Sequence, residues 1–283
     1  MKILQITQHF LPICGGVETV IYETSKRLVR DGYDVTVICE REPGTAKYEI
    51  IDGIKVHRVF GFQLAKINYD KVRVAPEMLL ELKRNNFNAV HFQGCGHFLL
   101  WMSLFTNKPT IITTHSDLPK GSILWSELRS IPLRLCDKII AISKMEKQNL
   151  KLRGVREDKI VVIPHGVTLP PPEVPRIDLG KSIFCLGRLD TYIKGQDLLI
   201  QAMPKVISNI KDAKLYIAGI GKDIVKLKRL TKSLRLENSV TFLGEISDYT
   251  KNLYLKNSSV FCLPSRIEAV SYTHLTLPTI LLV

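Results

Sequence analysis

Two cations bracket a glycine-bounded loop in SIFCLGRLDTYIKGQDLLIQAM, residues 182–203. An apolar run delivers Gly187 and Arg188, and Lys194 with Gly195 then opens a stretch of helical pattern. Ligands of parallel α/β sheets gather at the carboxyl ends of strands. An arginine there is a planar fork and a lysine a point charge, a pairing that suits a diphosphate. The plainer account is surface charge on a loop. Gly15 and Gly16, in HFLPICGGVETV, would let backbone N–H groups approach a phosphate at a helix start. A tight strand-to-helix turn explains that pair equally well. Gly219 and Gly221 follow the run AKLYIA, where a nucleotide could pass close to the backbone. GIGKD has no Ser or Thr after its lysine, and Ile224 stands at the third position of G-x-G-x-x-G, so neither phosphate fingerprint is complete. His115, in IITTHSDLP, sits just past a strand pattern; a lone histidine there is structural or catalytic. Glu268, in VFCLPSRIEA, could accept from sugar hydroxyls or complement a helix dipole.

The elements that must position these residues are legible as short apolar runs. The first series is Ile3–Thr7, Val35–Cys39, Val56–Phe60, Ala89–Gln93, Thr110–Thr113 and Lys138–Ile142. The second is Ile160–Ile163, Ser182–Leu186, Lys214–Ala218, Val240–Leu243 and Val260–Leu263. Continuous rather than alternating apolar runs mark parallel strands covered on both faces. Helical patterns lie between them. One spans Val17–Asp31 and ends at Gly32. Ser143 with Glu146 is a capping box. Gly195–Ile210 repeats apolar residues at helical spacing. The alternation predicts an α/β fold. PHGVTLPPPEVPRIDLGK carries four prolines between Pro170 and Pro175 and reads as a linker. The expected domains are 1–165, a linker at 166–181, and 182–270, with 271–283 set apart as a tail.

The 283 residues carry 40 Lys and Arg against 27 Asp and Glu, a net +13 that favours anionic partners. The densest basic run, KDIVKLKRLTKSLR, reads as the solvated face of a helix. The six cysteines form no C-x-x-C or zinc spacing, and several lie in apolar runs. They read as reduced thiols in a cytoplasmic protein. No apolar run reaches eighteen residues, and the chain starts on a strand pattern without a signal peptide.

In order, PICGGVE (12–18), TTHSDLP (113–119), CDKIIAISK (136–144), VVIPHGV (161–167), CLGRLDTYIKGQDLLIQAM (185–203), LYIAGIGKD (215–223), VTFLGEIS (240–247) and VFCLPSRIEA (260–269) resemble family 4 of the retaining glycosyltransferases, also called glycosyl transferases group 1. The resemblance implies the GT-B fold, two Rossmann-like domains facing across a cleft. The N-terminal domain would take the acceptor and the C-terminal domain the nucleotide-sugar donor. It implies that Arg188 and Lys194 bind the donor diphosphate and that Gly15 and Gly16 offer amides to it. His115 would lie at the donor sugar, and Gly187, Gly219 and Gly221 would border the nucleotide. Glu268 matches the first Glu of an E-x7-E motif that contacts the sugar. These protein groups stand where other glycosyltransferases hold a metal on D-x-D. No D-x-D occurs here, so the expected enzyme is a metal-independent hexosyltransferase without cofactor.

The pattern breaks after Ala269. Thr276 occupies the place of the second Glu, and VSYTHLTLPTILLV contains no charged residue. We read a chain cut near Ala269 with a foreign tail, so the fragment is expected to be inactive and the function is that of its parent. A GT-B nucleotide-sugar epimerase and a non-catalytic nucleotide-sugar binder are the alternatives. An NAD-dependent oxidoreductase is disfavoured by the incomplete glycine fingerprint. The expected partners are a nucleotide-sugar and a glycan or lipid acceptor, not nucleic acid. The segment FQLAKINYDKVR (62–73) and the net charge also fit peripheral contact with the anionic inner face of a membrane.

Overall fold

The computed structural model describes every residue except 14, 68–69, 85, 95–96, 116–122, 167–172 and 267–283. Glu268 and the tail therefore lie outside the described residues. The chain divides into two compact units, Met1–Gly166 and Val167–Val283.

The first unit runs β1 (Lys2–Thr7), α1 (Gly16–Arg30), β2 (Asp34–Glu40), β3 (Tyr48–Ile51), β4 (Ile54–Val59), β5 (Phe62–Ile67), β6 (Asp70–Val74), α2 (Pro76–Arg84), β7 (Ala89–Gln93), α3 (His97–Met102), β8 (Thr110–Thr113), α4 (Ile123–Leu135), β9 (Lys138–Ala141), α5 (Lys144–Leu152) and β10 (Ile160–Val162). Eight strands form one sheet in the order β10-β9-β8-β7-β1-β2-β4-β3. All neighbours are parallel except β3, which folds back on β4. Leu4, Ile6, Val90, Phe92, Ile112 and Ile139 are buried in the centre of this sheet. Burial on both faces is why their runs are continuously apolar.

The second unit runs β11 (Ser182–Leu186), α6 (Thr191–Lys194), α7 (Gln196–Asn209), β12 (Lys214–Ala218), α8 (Ile224–Ser233), β13 (Val240–Gly244), α9 (Asp248–Asn257) and β14 (Val260–Phe261). Its four strands are parallel in the order β13-β12-β11-β14. Leu215, Ile217, Ile200, Met203 and Leu227 make the core between sheet and helices. Both units are thus Rossmann-like α/β layers.

The structure differs from the sequence expectation at four places. The strand at Ile160 pairs with β9 and closes the first sheet rather than starting the second series. The segment 62–73 forms the antiparallel hairpin β5–β6. The loop after Arg188 contains the single turn α6, and Lys194 ends that turn instead of opening the long helix. The carboxylate of Asp223 holds the first N–H of that turn, which gives it a cap the local sequence does not show. Finally, β3 adds an antiparallel edge through Asp52 and Gly53, both at positive φ.

Burial raises the thiols of Cys39, Cys136 and Cys185 to about 12, so these behave as small apolar side chains rather than nucleophiles. The basic run becomes α8, which buries Leu227 and Thr231 and turns Lys228, Arg229 and Lys232 outward.

Candidate active site

In the second unit, the end of β11 and the loop after β12 are locked together by backbone. Gly187 N–H donates to Ala218 O, Leu189 N–H to Ile220 O and Asp223 N–H to Leu189 O, at 3.0, 2.9 and 3.2 Å. A Cβ on Gly219 would run into the Gly187 carbonyl oxygen, and one on Gly221 into Leu189 backbone. The close approach that requires glycine at these two positions is therefore to the neighbouring loop of the protein itself. Gly195 has φ +65°, and a Cβ there would strike the carbonyl oxygen of Pro264. Each glycine lets one loop settle on another, and together they fix the carboxyl edge of this sheet.

Arg188 is exposed on that edge and Lys194 is half-buried beside it. A Cβ on Gly187 would lie 3.9 Å from Cδ of Lys194, so the lysine stem runs along Gly187. The turn that carries Lys194 is tied through its first residue, Thr191. Asp223 accepts from Thr191 N–H at 2.8 Å and from its hydroxyl at 2.9 Å. Arg266 donates to the Thr191 carbonyl and pairs with both oxygens of Asp197 at 3.0 and 3.1 Å. Lys222 pairs with Asp190 at 2.9 Å, and Lys226 donates to the Thr191 hydroxyl at 3.0 Å. The side-chain hydrogen bond from Lys222 holds the Asp190 carboxyl below its usual range, and the Thr191 N–H does the same for Asp223. Five cations, Arg188, Lys194, Lys222, Lys226 and Arg266, thus stand around one loop against the three carboxylates of Asp190, Asp197 and Asp223, a net positive edge that suits an anion.

In the first unit, Gly15 is the N-cap of α1 and Gly16 its first residue. Gly16 has open space where a Cβ would be, whereas Glu18 lies over Gly15. The carboxylate of Glu18 complements the helix N-terminus as a first-turn acid should.

His115 follows β8 with φ +58°, a left-handed conformation that a non-glycine residue holds only when its surroundings impose it. Its Nε2 lies 2.6 Å from Gln93 Oε1 and its Nδ1 lies 3.3 Å from His165 Nε2. The preceding Thr114 donates its hydroxyl to Glu146, whose other oxygen takes the Ile142 N–H. Burial, then His165 and His91, push the His115 pKa down to about 3, so its ring is neutral. Gly15 and His115 follow β1 and β8, and Gln93 ends β7; the three strands are adjacent, so all three residues share one carboxyl edge.

The predicted residues thus fall in two groups. Gly187, Arg188, Lys194, Gly219 and Gly221 come together in the second unit. Gly15, Gly16 and His115 share the sheet edge of the first. Sequence reasoning missed Gln93, His165, Asp223 and Arg266. His165, Asp223 and Arg266 stand inside quoted motifs after strand patterns, a signal that pointed to them; Gln93 had none beyond position.

A cavity of about 620 Å³ lies at the opposite, amino end of the first sheet, lined by Lys2, Asp34, Lys55, His57 and Glu81 among others. His57, Glu77 and Glu81 there bring ligand-type atoms within 4.8 Å of one another. Lys47 already sits 2.6 Å from Glu77 and supplies the counter-charge.

The amino-terminal part of the chain, residues 14–169, matches the model of Glycosyltransferase Family 4, and residues 173–275 match that of Glycosyl transferases group 1. The chain belongs to glycosyltransferase family 4. This family-4 chain is 24% identical over 279 residues to the phosphatidyl-myo-inositol mannosyltransferase of Mycobacterium leprae, covering 94% of the chain and 72% of that protein. Among solved structures, it matches sucrose-phosphate synthase of Thermosynechococcus elongatus with a TM-score of 0.76 at 19% identity, over 96% of the chain and 77% of that structure. It matches HepE of Anabaena, solved with UDP-glucose, with a TM-score of 0.69 at 17% identity, over 94% and 74%. The family-4 chain therefore has the two Rossmann-like units of the GT-B class. Among its described residues, no helix is long and apolar enough to cross a membrane.

Proposed function

We propose that the parent of this chain transfers a hexose-type sugar from a nucleoside-diphosphate donor to a lipid or glycan hydroxyl, with retention of anomeric configuration. One observation carries the reading: Arg188 and the Lys194 stem flank Gly187 at the carboxyl edge of β11, on a turn braced by Asp223 and Arg266. Such a site gathers the charge that a departing diphosphate develops. The bond from C1 to the phosphate oxygen breaks, the acceptor oxygen bonds to C1 on the same face, and the acceptor proton passes to the leaving phosphate oxygen. Cations held in place before the reaction stabilise that charge without reorganisation, and losing one costs about 10²-fold or more in rate.

Because Arg188 and Lys194 supply the countercharge, activity is expected to be independent of added divalent metal. His115 serves the sugar as a neutral polar group, and Glu268 is assigned to the sugar hydroxyls. The UDP-glucose bound to HepE favours a UDP-sugar donor, and the phosphatidyl-myo-inositol in the name of the Mycobacterium leprae relative favours a lipid acceptor. A panel of nucleotide-sugars tests the reading on the full-length parent enzyme, with nucleotide release measured in the presence and absence of chelator and the product anomer assigned by NMR. Release with a UDP-sugar, insensitive to chelator, supports it; absence of transfer with every donor and acceptor refutes it.

A further inference from the structure

The polar groups at the carboxyl edge of the first sheet form one connected chain. Gln5 Nε2 donates to Ser25 Oγ at 3.0 Å, and Gln93 Nε2 donates to Gln5 Oε1 at 2.5 Å. The remaining Gln93 oxygen faces His115 Nε2, and His115 Nδ1 faces His165 Nε2. Gln5 and Ser25 are fully buried, Gln93 is 4% exposed and His115 6%. An amide oxygen only accepts, so His115 Nε2 carries its hydrogen. In a neutral imidazole the other nitrogen then holds a lone pair. His165 Nε2 must therefore carry the hydrogen between the two rings. The two rings lie with centroids 5.2 Å apart and planes within 27° of each other.

We propose that His165 is a positioning residue for His115: by donating Nε2–H to Nδ1, opposite the Gln93 oxygen, it locks His115 as the Nε2–H tautomer in a single ring orientation. Both ring nitrogens are then spent inside the protein, so His115 acts as a fixed wall and dipole and not as a proton shuttle. The consequence for catalysis rests on the reading that His115 serves the donor sugar; the tautomer itself does not.

The test uses the protein labelled with ¹⁵N-histidine, its His115 signals assigned by the loss of one set in His115→Gln. In the wild type, His115 is expected to show a protonated Nε2 and an unprotonated Nδ1. In His165→Leu the Nε2–H form, held by Gln93, is expected to persist, while the Nδ1 signal shifts as its hydrogen bond is lost and the ring signals broaden. In the full-length parent enzyme the same substitution lowers kcat on the order of 10- to 100-fold, as a small displacement of a reacting geometry does, with donor KM nearly unchanged. His165→Gln, whose amide N–H reaches the same place, restores most of kcat. A wild-type His115 protonated on Nδ1 overturns the proposal, a result that needs no variant to fold. So do His115 signals unmoved in His165→Leu, or a kcat equal to wild type. If the full-length parent transfers no sugar, the functional reading fails, and the spectra alone still decide the tautomer.

Discussion

The carboxylate of Asp223 takes both the backbone N–H and the hydroxyl of Thr191, and so fixes the turn that ends in Lys194. Asp223→Ala removes this cap. It is expected to lower stability by about 1 kcal/mol, the usual cost of a lost helix cap. Because Lys194 rides on that turn, nucleoside-diphosphate affinity should fall as well, although Asp223 itself is an anion. Urea unfolding and calorimetry with UDP check both parts; unchanged UDP affinity would separate the cap from the ligand site.

Glycines at the two sheet edges should respond differently to an added methyl. Gly195→Ala forces a left-handed residue against the Pro264 carbonyl and is expected to cost more than about 1 kcal/mol. Gly16→Ala meets open space and keeps its N–H, so its melting temperature should stay at or above that of the wild type. Thermal melts of the two variants make the comparison. Equal destabilisation would mean that the loops do not pack as described.

Glu146 joins Thr114 to Ile142 beneath the His115 backbone. Glu146→Ala strands two buried donors and is expected to cost about 2–4 kcal/mol. Thr114→Val with Glu146→Ala should cost less than the sum of the separate changes, since the pair shares one hydrogen bond. A double-mutant cycle by urea unfolding measures the coupling, and strict additivity would show that the contact contributes nothing.

Acid should destabilise the first unit through its histidines. Desolvation lowers His91 to about 4 and His115 to about 3, against an ordinary value near 6.5. Between the unfolded and folded values the unfolded chain binds more protons, so stability falls as pH falls. The loss begins near pH 6.5 and approaches about 1.4 kcal/mol per pH unit for each histidine, ending near pH 4 for His91 and pH 3 for His115. Urea midpoints from pH 7 to 4 should decline, and His91→Gln should flatten the decline.

The sequence carried the parallel sheet well where burial is two-sided. Ser182–Leu186, Lys214–Ala218 and Thr110–Thr113 are strands at the residues expected, because an interior strand needs no polar face. It failed at sheet margins. The β5–β6 hairpin mixes charge and apolar residues without a Gly or Pro between its strands, so it read as a surface segment. The edge strand β3 was marked by Asp52–Gly53, a hairpin signal that went unused. The loop glycines and the two cations after β11 were legible from position. The contacts of their supports were not: Gln93, His165 and Asp223 act across 22, 50 and 32 residues, and no local pattern encodes such distances.

The central claim is that Arg188 and Lys194 grip a diphosphate. Calorimetry of UDP and uridine binding to the wild type and to Lys194→Ala tests it most directly. The account predicts that the substitution weakens UDP at least about 10-fold, the loss of one charge-assisted contact, and leaves uridine unchanged. Equal UDP affinity in the two proteins would contradict it.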